Sequence, residues 1–319
     1  MSKEVLIEVK NLKKHFKTKK GTLKAVDNVS FEIYKGETFG LVGESGCGKS
    51  TLGRVITGLY SQDGGSVFYQ DNEITNISKK SFKTYQKKMQ IIFQDPYSSL
   101  NPNMNVAEII EEPIKIHNNK ISKQEAEAIV DNVLTKVGLD LDSKIKYPHE
   151  FSGGQRQRIG IARALSVKPE FILCDEPISA LDVSIQAQIV NTLKDIQETS
   201  KVAYLFVAHD ISMVKYISDR IGVMYLGRII EIGTSDEIVN NPQHPYTKML
   251  LNSIPHINQD FDLNQDIIQG DIPSPIDLPK GCRFQSRCSK VFDKCLEHEP
   301  DLIDINTGHK SACWLCENK

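Results

Sequence analysis

Nine consecutive residues, Gly43-Glu44-Ser45-Gly46-Cys47-Gly48-Lys49-Ser50-Thr51, carry the spacing G-x-x-x-x-G-K-S. Glycines so placed let backbone N–H groups turn inward around a phosphate, and a helix starting there adds its partial positive charge. A lysine in the place of Lys49 reaches the β- and γ-phosphates of a nucleoside triphosphate, and a hydroxyl in the place of Ser50 holds Mg²⁺. The flanks supply the required context. Residues 37–42 read as a buried strand, and Thr51 to Leu59 read as a helix with Leu52, Val55, Ile56 and Leu59 on one face. The competing reading is a glycine-rich turn that binds nothing.

Four more groups could do chemistry. Ser152-Gly153-Gly154-Gln155 opens an apolar-periodic stretch, 156–165, with Ser152 near the N-cap. Such a start leaves bare amides and a hydroxyl along the helix axis, a second anion site, unless it is an ordinary capped helix. Phe171-Ile172-Leu173-Cys174-Asp175-Glu176 is an apolar strand ending in two carboxylates. Gln94 follows the apparent strand 89–93, and His209 follows 204–208; neither means much alone. Lastly, five of seven cysteines lie between Cys282 and Cys316.

Around these groups the elements fall into regions. Residues 1 to about 94 hold antiparallel-looking strands, such as Val29-Ser30-Phe31-Glu32-Ile33, before the glycine loop and its helix. From about 95 to 165 the chain reads as mostly helical: Ala126, Ile129, Val130, Val133, Leu134 and Val137 keep helical spacing, and Gly138 is a C′ stop. Strands and helices return over 166–235, where 221–225 and 228–232, joined through Leu226-Gly227, form a hairpin that closes the sheet. Beyond about 240, Pro242, Pro245, Pro255, Pro273, Pro275 and Pro279 punctuate a segment of little periodicity, a separate module.

Composition narrows the class. With 319 residues the chain can hold a full catalytic domain and a small extra module. Its 39 Lys and Arg against 41 Asp and Glu give a net charge of −2, so no basic field favours nucleic acid. The basic run 13–20 is local, a solvated hairpin edge. No stretch approaches the ~20 apolar residues of a membrane span. The start, Met1-Ser2-Lys3-Glu4-Val5, lacks the apolar core of a secretory signal, so the protein is expected in the cytosol.

Phe151-Ser152-Gly153-Gly154-Gln155 resembles the Leu-Ser-Gly-Gly-Gln signature of the ABC ATPase family, with Phe151 at an apolar packing position. The other motifs resemble the family's in its order, over residues 5 to about 250. The resemblance implies that Asp175 orders Mg²⁺ and that Glu176 polarises the attacking water as general base. It makes Gln94 the Q-loop contact to Mg²⁺ and water, and His209 the switch histidine at the γ-phosphate. Ser179-Ala180-Leu181-Asp182 resembles the D-loop of the dimer interface. Phe16 sits where the family stacks an aromatic on adenine; a core Phe is the alternative.

The fold so implied is α/β: a P-loop ABC ATPase core with an antiparallel β subdomain and a helical subdomain over about 95–165. ATPase domain 1–240 would be followed by a small cysteine-containing module, 241–319. Each ATP would be sandwiched between the loop of one subunit and the signature of another, so hydrolysis requires a dimer. The segment from Tyr97 to Met104 would contact separate permease chains, and closure of two ATPase subunits would drive transport. A DNA-repair ABC ATPase would carry a long coiled coil, a translation factor two phosphate loops, and an iron–sulfur assembly ATPase no such tail.

His244-Pro245-Tyr246-Thr247, Leu250-Leu251, Pro273-Ser274-Pro275 and Gly281-Cys282-Arg283-Phe284-Gln285-Ser286-Arg287-Cys288 resemble the tail of peptide-importer ATPases, the F-type subunit above all. The implied function is hydrolysis of ATP to power import of oligopeptides or dipeptides. Implied partners are a second, related ATPase (a heterodimer, with a homodimer as the alternative), two permease subunits and an external peptide-binding protein, with the chain peripheral on the cytoplasmic face of the membrane. A nickel or metallophore importer fits the same subgroup, and a non-transport ABC ATPase is the alternative of another class.

In a cytosolic protein a cysteine cluster points to metal before disulfides. Cys282, Cys288, Cys295 and Cys313 give C-x5-C-x6-C-x17-C, which suits Zn²⁺ or an iron–sulfur cluster; free buried thiols are the alternative. Resemblance to the importer tail favours [4Fe–4S]. Cys316 competes with Cys313 for the fourth place, and Cys313 is preferred. Cys47 and Cys174 read as small apolar fillers.

Overall fold

A computed structural model describes residues 4–253 and 273–317. Pro255 and the Met1-Ser2-Lys3 start lie outside the described residues. In chain order the first elements are β1 (Val5–Thr18), β2 (Gly21–Tyr34), β3 (Thr38–Val42), α1 (Lys49–Ile56), β4 (Gly64–Tyr69), β5 (Asn72–Glu73), α2 (Lys79–Lys88) and β6 (Met89–Ile92). Next come α3 (Val106–His117), α4 (Lys123–Lys136), α5 (Gly153–Leu165), β7 (Phe171–Asp175), α6 (Val183–Ser200), β8 (Ala203–Val207) and α7 (Ile211–Ile217). The chain continues through β9 (Arg220–Tyr225), β10 (Arg228–Thr234), α8 (Ser235–Asn240), α9 (Pro245–Asn252), α10 (Asp293–Glu297), β11 (Ile303–Asn306) and β12 (His309–Ser311).

Two compact units interleave along the chain. The first comprises the described residues up to Leu6, Ile33–Glu37 and Asn76–Val207. In it β6, β7 and β8 run parallel, with Met89 opposite Phe171, Ile92 opposite Cys174 and Asp175 opposite Val207. Every residue of β7 and β8 is buried, the pattern of strands covered on both faces. Helices α3, α4 and α5 pack on one another through residues such as Ile110, Val130, Leu134 and Ile161. Helix α4 carries the expected face, starts with a capping box between Ser122 and Glu125, and stops where Gly138 turns left-handed at φ 70°. The region expected to be mostly helical is so from Val106 onward, while residues 95–105 ahead of it form turns. Pro96 and Pro102 remove two amide donors from that stretch.

The second unit comprises Ile7–Glu32, Thr38–Thr75 and the described residues from Ala208 onward. Here β1 pairs antiparallel with β4, with Ile7 opposite Tyr69 and Val9 opposite Val67. Strand β3 runs parallel to β9, with Phe39 opposite Arg220 and Val42 opposite Val223. Strands β9 and β10 form the anticipated hairpin, and positive φ at Leu226 (41°) and Gly227 (83°) is what a two-residue turn of this hand demands. The hairpin does not end the sheet, because β12 of the tail pairs with β10 and β11 pairs with β12. Helix α1 stops at Ile56, earlier than its apolar spacing predicts. Gly58 turns left-handed, and Leu59 is left exposed. In the proline-punctuated tail, Pro245 stands in the first turn of α9, where its missing N–H costs no hydrogen bond.

A buried carboxylate fastens the tail to β10. Glu231 accepts hydrogen bonds from the amides of Gln243 (2.7 Å) and His244 (3.0 Å), from the Thr247 hydroxyl, and pairs with His309 Nε2 at 2.8 Å. Burial alone would push this carboxyl up, but the His309 and Thr247 side chains and the two amides hold it below its ordinary value.

Candidate nucleotide site and cysteine-lined cavity

In the second unit the wholly buried β3 runs straight into the glycine loop. Gly43 has φ 153°, and a Cβ there would lie 2.2 Å from the Met224 carbonyl oxygen. Gly48 has φ 109°, and a Cβ there would lie 1.9 Å from the Ala25 carbonyl oxygen. No other residue fits either place. Gly48 is also the N-cap of α1 and offers no side-chain cap, so the first amides of the helix are left for a ligand. Lys49 is buried, and its Nζ donates to the carbonyls of Gly43 (2.7 Å) and Glu44 (3.1 Å). Ser45 and Gly46 are exposed, and Ser50 and Thr51 are half-buried in the first helical turn. Burial raises the Cys47 thiol, so it stays a neutral filler.

Phe16 is half-buried on β1, edge-on to Tyr60 with ring centroids 5.9 Å apart; it is no core residue. His209 is exposed, just ahead of Asp210, which caps α7.

In the first unit β7 delivers Asp175, fully buried, and then Glu176. Glu176 has φ 48°, a left-handed backbone that costs a non-glycine residue about 1–3 kcal/mol and recurs where function fixes a side chain. The Gln94 side-chain amide donates to Glu176 Oε2 at 2.8 Å. Two residues that sequence placed 82 positions apart are thus in direct contact. Gln157 on α5 donates to the Phe93 carbonyl at 3.4 Å, which steadies the approach to Gln94.

Helix α5 begins as anticipated. Ser152 accepts from the Gln155 amide at 3.4 Å, and Gln155 Oε1 accepts from the Ser152 amide at 3.0 Å. Phe151 is buried, in keeping with a packing position. Gly154 is forced by close approach, since a Cβ would lie 2.5 Å from Ile185 Cγ2. In the stretch 179–182, the Ser179 hydroxyl donates to the Glu176 carbonyl at 3.1 Å. Gln186 ties down the carbonyls of Ile178 and Leu181. Tyr97, 65% exposed, lies under the Arg156 guanidinium at 3.7 Å.

The tail brings Cys282, Cys288, Cys295 and Cys313 to one small cavity, beside Phe284 and Trp314. Cys316 is buried and does not line it. Burial pushes the Cys282 thiol up to about 11 and the Cys313 thiol up to about 12, with the neighbouring cysteines adding to the shift. Yet among the described residues no three His, Cys, Asp or Glu side chains stand in a metal-holding arrangement. The expected iron–sulfur or zinc centre thus has its four cysteines at one cavity, without a formed ligand set among the described residues. Buried neutral thiols keep their protons until a metal displaces them.

Sequence reasoning missed the partners of Glu44. Arg287 pairs with its carboxylate, and Tyr246 accepts from its amide at 2.9 Å. No local pattern could show these contacts, because the residues lie 243 and 202 positions away.

The family described as "ABC transporter" matches residues 26–179, and that described as "Oligopeptide/dipeptide transporter, C-terminal region" matches residues 230–295. The chain is 55% identical over 299 residues to the oligopeptide transport ATP-binding protein OppF of Bacillus subtilis, covering 93% of this chain and 98% of that one. The chain belongs to the ABC transporter ATP-binding family. It is likewise 48% identical to OppF of Haemophilus influenzae, over 98% of this chain and 97% of that protein. Among solved structures, the ATP-binding cassette MJ0796, a dimer in a post-hydrolysis state bound to ADP and Pi, superposes with a TM-score of 0.67. It is 28% identical, and the match covers 72% of this chain and 99% of that one. An ABC ATPase of this family hydrolyses ATP, and Mg²⁺ accompanies the nucleotide. Among the described residues no helix is long and apolar enough to cross a membrane.

Proposed function

We propose that this chain is the ATP-hydrolysing subunit of a peptide importer, working on a membrane permease complex. The observation that carries the reading is the match of residues 230–295 to the oligopeptide/dipeptide C-terminal region, on a chain 55% identical to an OppF. In this reading Gly43 to Thr51 bind the phosphates, with Lys49 on the β- and γ-phosphates and Phe16 against adenine. Ser50, Gln94 and Asp175 hold Mg²⁺. Glu176 takes the proton from the attacking water, oriented by the Gln94 amide 2.8 Å away, and His209 contacts the γ-phosphate.

Ser152, Gly153, Gly154 and Gln155 complete the site of a second ATPase, so the working unit is a dimer, with a related, non-identical chain as the preferred partner and a second copy of this chain as the alternative. The segment 97–104, led by the exposed Tyr97, meets the permease. An extracytoplasmic binding protein delivers the peptide, and the chain sits peripherally on the cytoplasmic face. Functionally, residues 1–240 are the ATPase and 241–319 the importer-type module. That module takes up a metal centre, a [4Fe–4S] cluster or else Zn²⁺, through Cys282, Cys288, Cys295 and Cys313. What supports the reading is that the four thiols line one cavity; they would have to close onto the group, which would lend the small module fold stability.

The test is peptide uptake into vesicles holding the permeases, both ATPases and the binding protein. ATP-driven uptake of a labelled oligopeptide supports the reading, and its absence with intact ATPase activity refutes the cargo. Iron, sulfide and zinc analysis after anaerobic purification tests the module. Below about a tenth of an equivalent of every metal, the centre is excluded.

A further inference from the structure

The tail segment Gly281–Cys288 carries two arginines, and both engage the nucleotide-binding frame of the second unit. Arg287 grips Glu44 with two parallel bonds, Nη1 to Oε2 at 2.7 Å and Nη2 to Oε1 at 2.8 Å. Its side chain is only 3% exposed and lies against the rings of Tyr225 and Phe284. Tyr246 OH takes the Glu44 amide, while the Glu44 carbonyl takes Lys49 Nζ. Arg283 donates to the Leu226 carbonyl and pairs with Asp27, whose other oxygen pairs with His15, the neighbour of Phe16.

We propose that the tail positions the phosphate loop: Arg287, with Tyr246, fixes Glu44 and through it Lys49 in the arrangement that receives phosphate. The inference rests on the nucleotide reading of the loop. Its physical basis is charge and support. Glu44 is an anion at the rim of a site for a polyanion, and the Arg287 fork both neutralises and aims it. The outer turn of the loop is open to solvent at Gly46, where a Cβ would meet nothing within 4 Å, so the Arg287 and Tyr246 contacts brace Glu44 from the tail side. Arg287 is thus a positioning residue and touches no reacting atom.

The experiment uses the assembled ATPase–permease complex and reads fluorescent-ATP binding together with steady-state kinetics. Arg287→Ala is expected to raise Kd and KM for ATP about five- to fiftyfold while kcat at saturating ATP stays within about twofold, a uniform-binding loss. Arg287→Lys, which keeps the charge but not the fork, is expected to fall between the two. In a Glu44→Ala background Arg287→Ala is expected to add less than about twofold, because the pair acts as one unit. Unchanged KM in Arg287→Ala overturns the proposal, as does a lowered Tm with reduced kcat and unaltered KM. Full multiplication of the two single effects in the double variant also overturns it. If Arg287→Ala does not fold, unchanged KM in Arg287→Lys overturns it equally. Wild-type complex that binds no ATP, or Lys49→Ala that binds as wild type, defeats the nucleotide reading itself and this inference with it.

Discussion

Two helix N-termini in this molecule follow glycine-bearing motifs, yet they are built in opposite ways. Helix α1 starts at a glycine with φ 109° and no capping side chain, so its first amides are committed to nothing. Helix α5 starts at Ser152 with φ −65° and a closed capping box, its amides already engaged by Ser152 and Gln155. The first is held by backbone pressed so close that no Cβ fits at Gly43 or Gly48, whereas Ser152 and Gln155 are exposed. An uncapped start in a rigid frame is a receptor that needs its ligand. A self-capped, exposed start is stable alone and can be presented to another chain. The contrast predicts that changes at the loop act on binding, while changes in the first unit act on turnover.

The largest effect is expected at Glu176. Replacing it by Gln keeps an acceptor near Gln94 but removes the base, so ATPase turnover in the assembled complex should fall by roughly two to four decades with binding retained. Normal turnover would move the base elsewhere and break the division of labour. Next is Gly48→Ala. A Cβ 1.9 Å from the Ala25 carbonyl, on a left-handed backbone, should cost about 2–4 kcal/mol and abolish tight ATP binding. Gly46→Ala is the internal control: with open space around it, only backbone strain of about 1–2 kcal/mol is added. Equal damage from both, by calorimetry and nucleotide titration, would show that the close frame around Gly48 is not what matters.

What was legible in the sequence follows the same division. The loop, the strand before it, the Ser152 cap and the Gly138 stop are local devices, each written within a few residues. The mostly helical character of 95–165 was legible, but not that turns with Pro96 and Pro102 would hold off its first helix until Val106. Contacts of long separation had no local signal: Gln94 with Glu176, Glu44 with Arg287, and β12 on β10. The cysteines were readable as a cluster, and four of them do meet at a cavity, but spacing could not say that no ligand set would stand formed there.

Acid should separate the two helix starts a third way. His244 caps α9 by accepting the Tyr246 amide at 3.0 Å, and complete burial lowers its pKa to about 4 despite the charge of Glu231. Because the folded value lies below the ordinary one near 6.5, the neutral ring is favoured in the fold. Its contribution is complete above pH 6.5 and is lost as pH falls towards 4, by at most about 3 kcal/mol. Tyr246 in turn holds Glu44, so ATP affinity should weaken between pH 6.5 and 4.5 before global unfolding. His244→Asn, which can still cap but does not titrate there, should flatten that part of the profile. An unchanged slope would detach α9 from the loop.

The smallest effect is expected at Ser152, and it is the sharpest test of the contrast. Ser152→Ala removes the side-chain acceptor for the Gln155 amide and opens the capping box, which costs about 1 kcal/mol of stability. The residue is exposed and belongs to the first unit, whereas Gly43 to Thr51, the loop proposed to take phosphate, belongs to the second. ATP binding to the full chain should therefore match wild type within about twofold, and Tm should drop by only a few degrees. Hydrolysis in the assembled complex should nonetheless decline, because in the proposed dimer the Ser152 hydroxyl is what this start would bring to the partner's nucleotide. Weaker ATP binding by the chain alone would mean that the capped start serves its own chain, and the two helix ends would no longer differ in role. Unchanged hydrolysis would mean that Ser152 is a cap and nothing more.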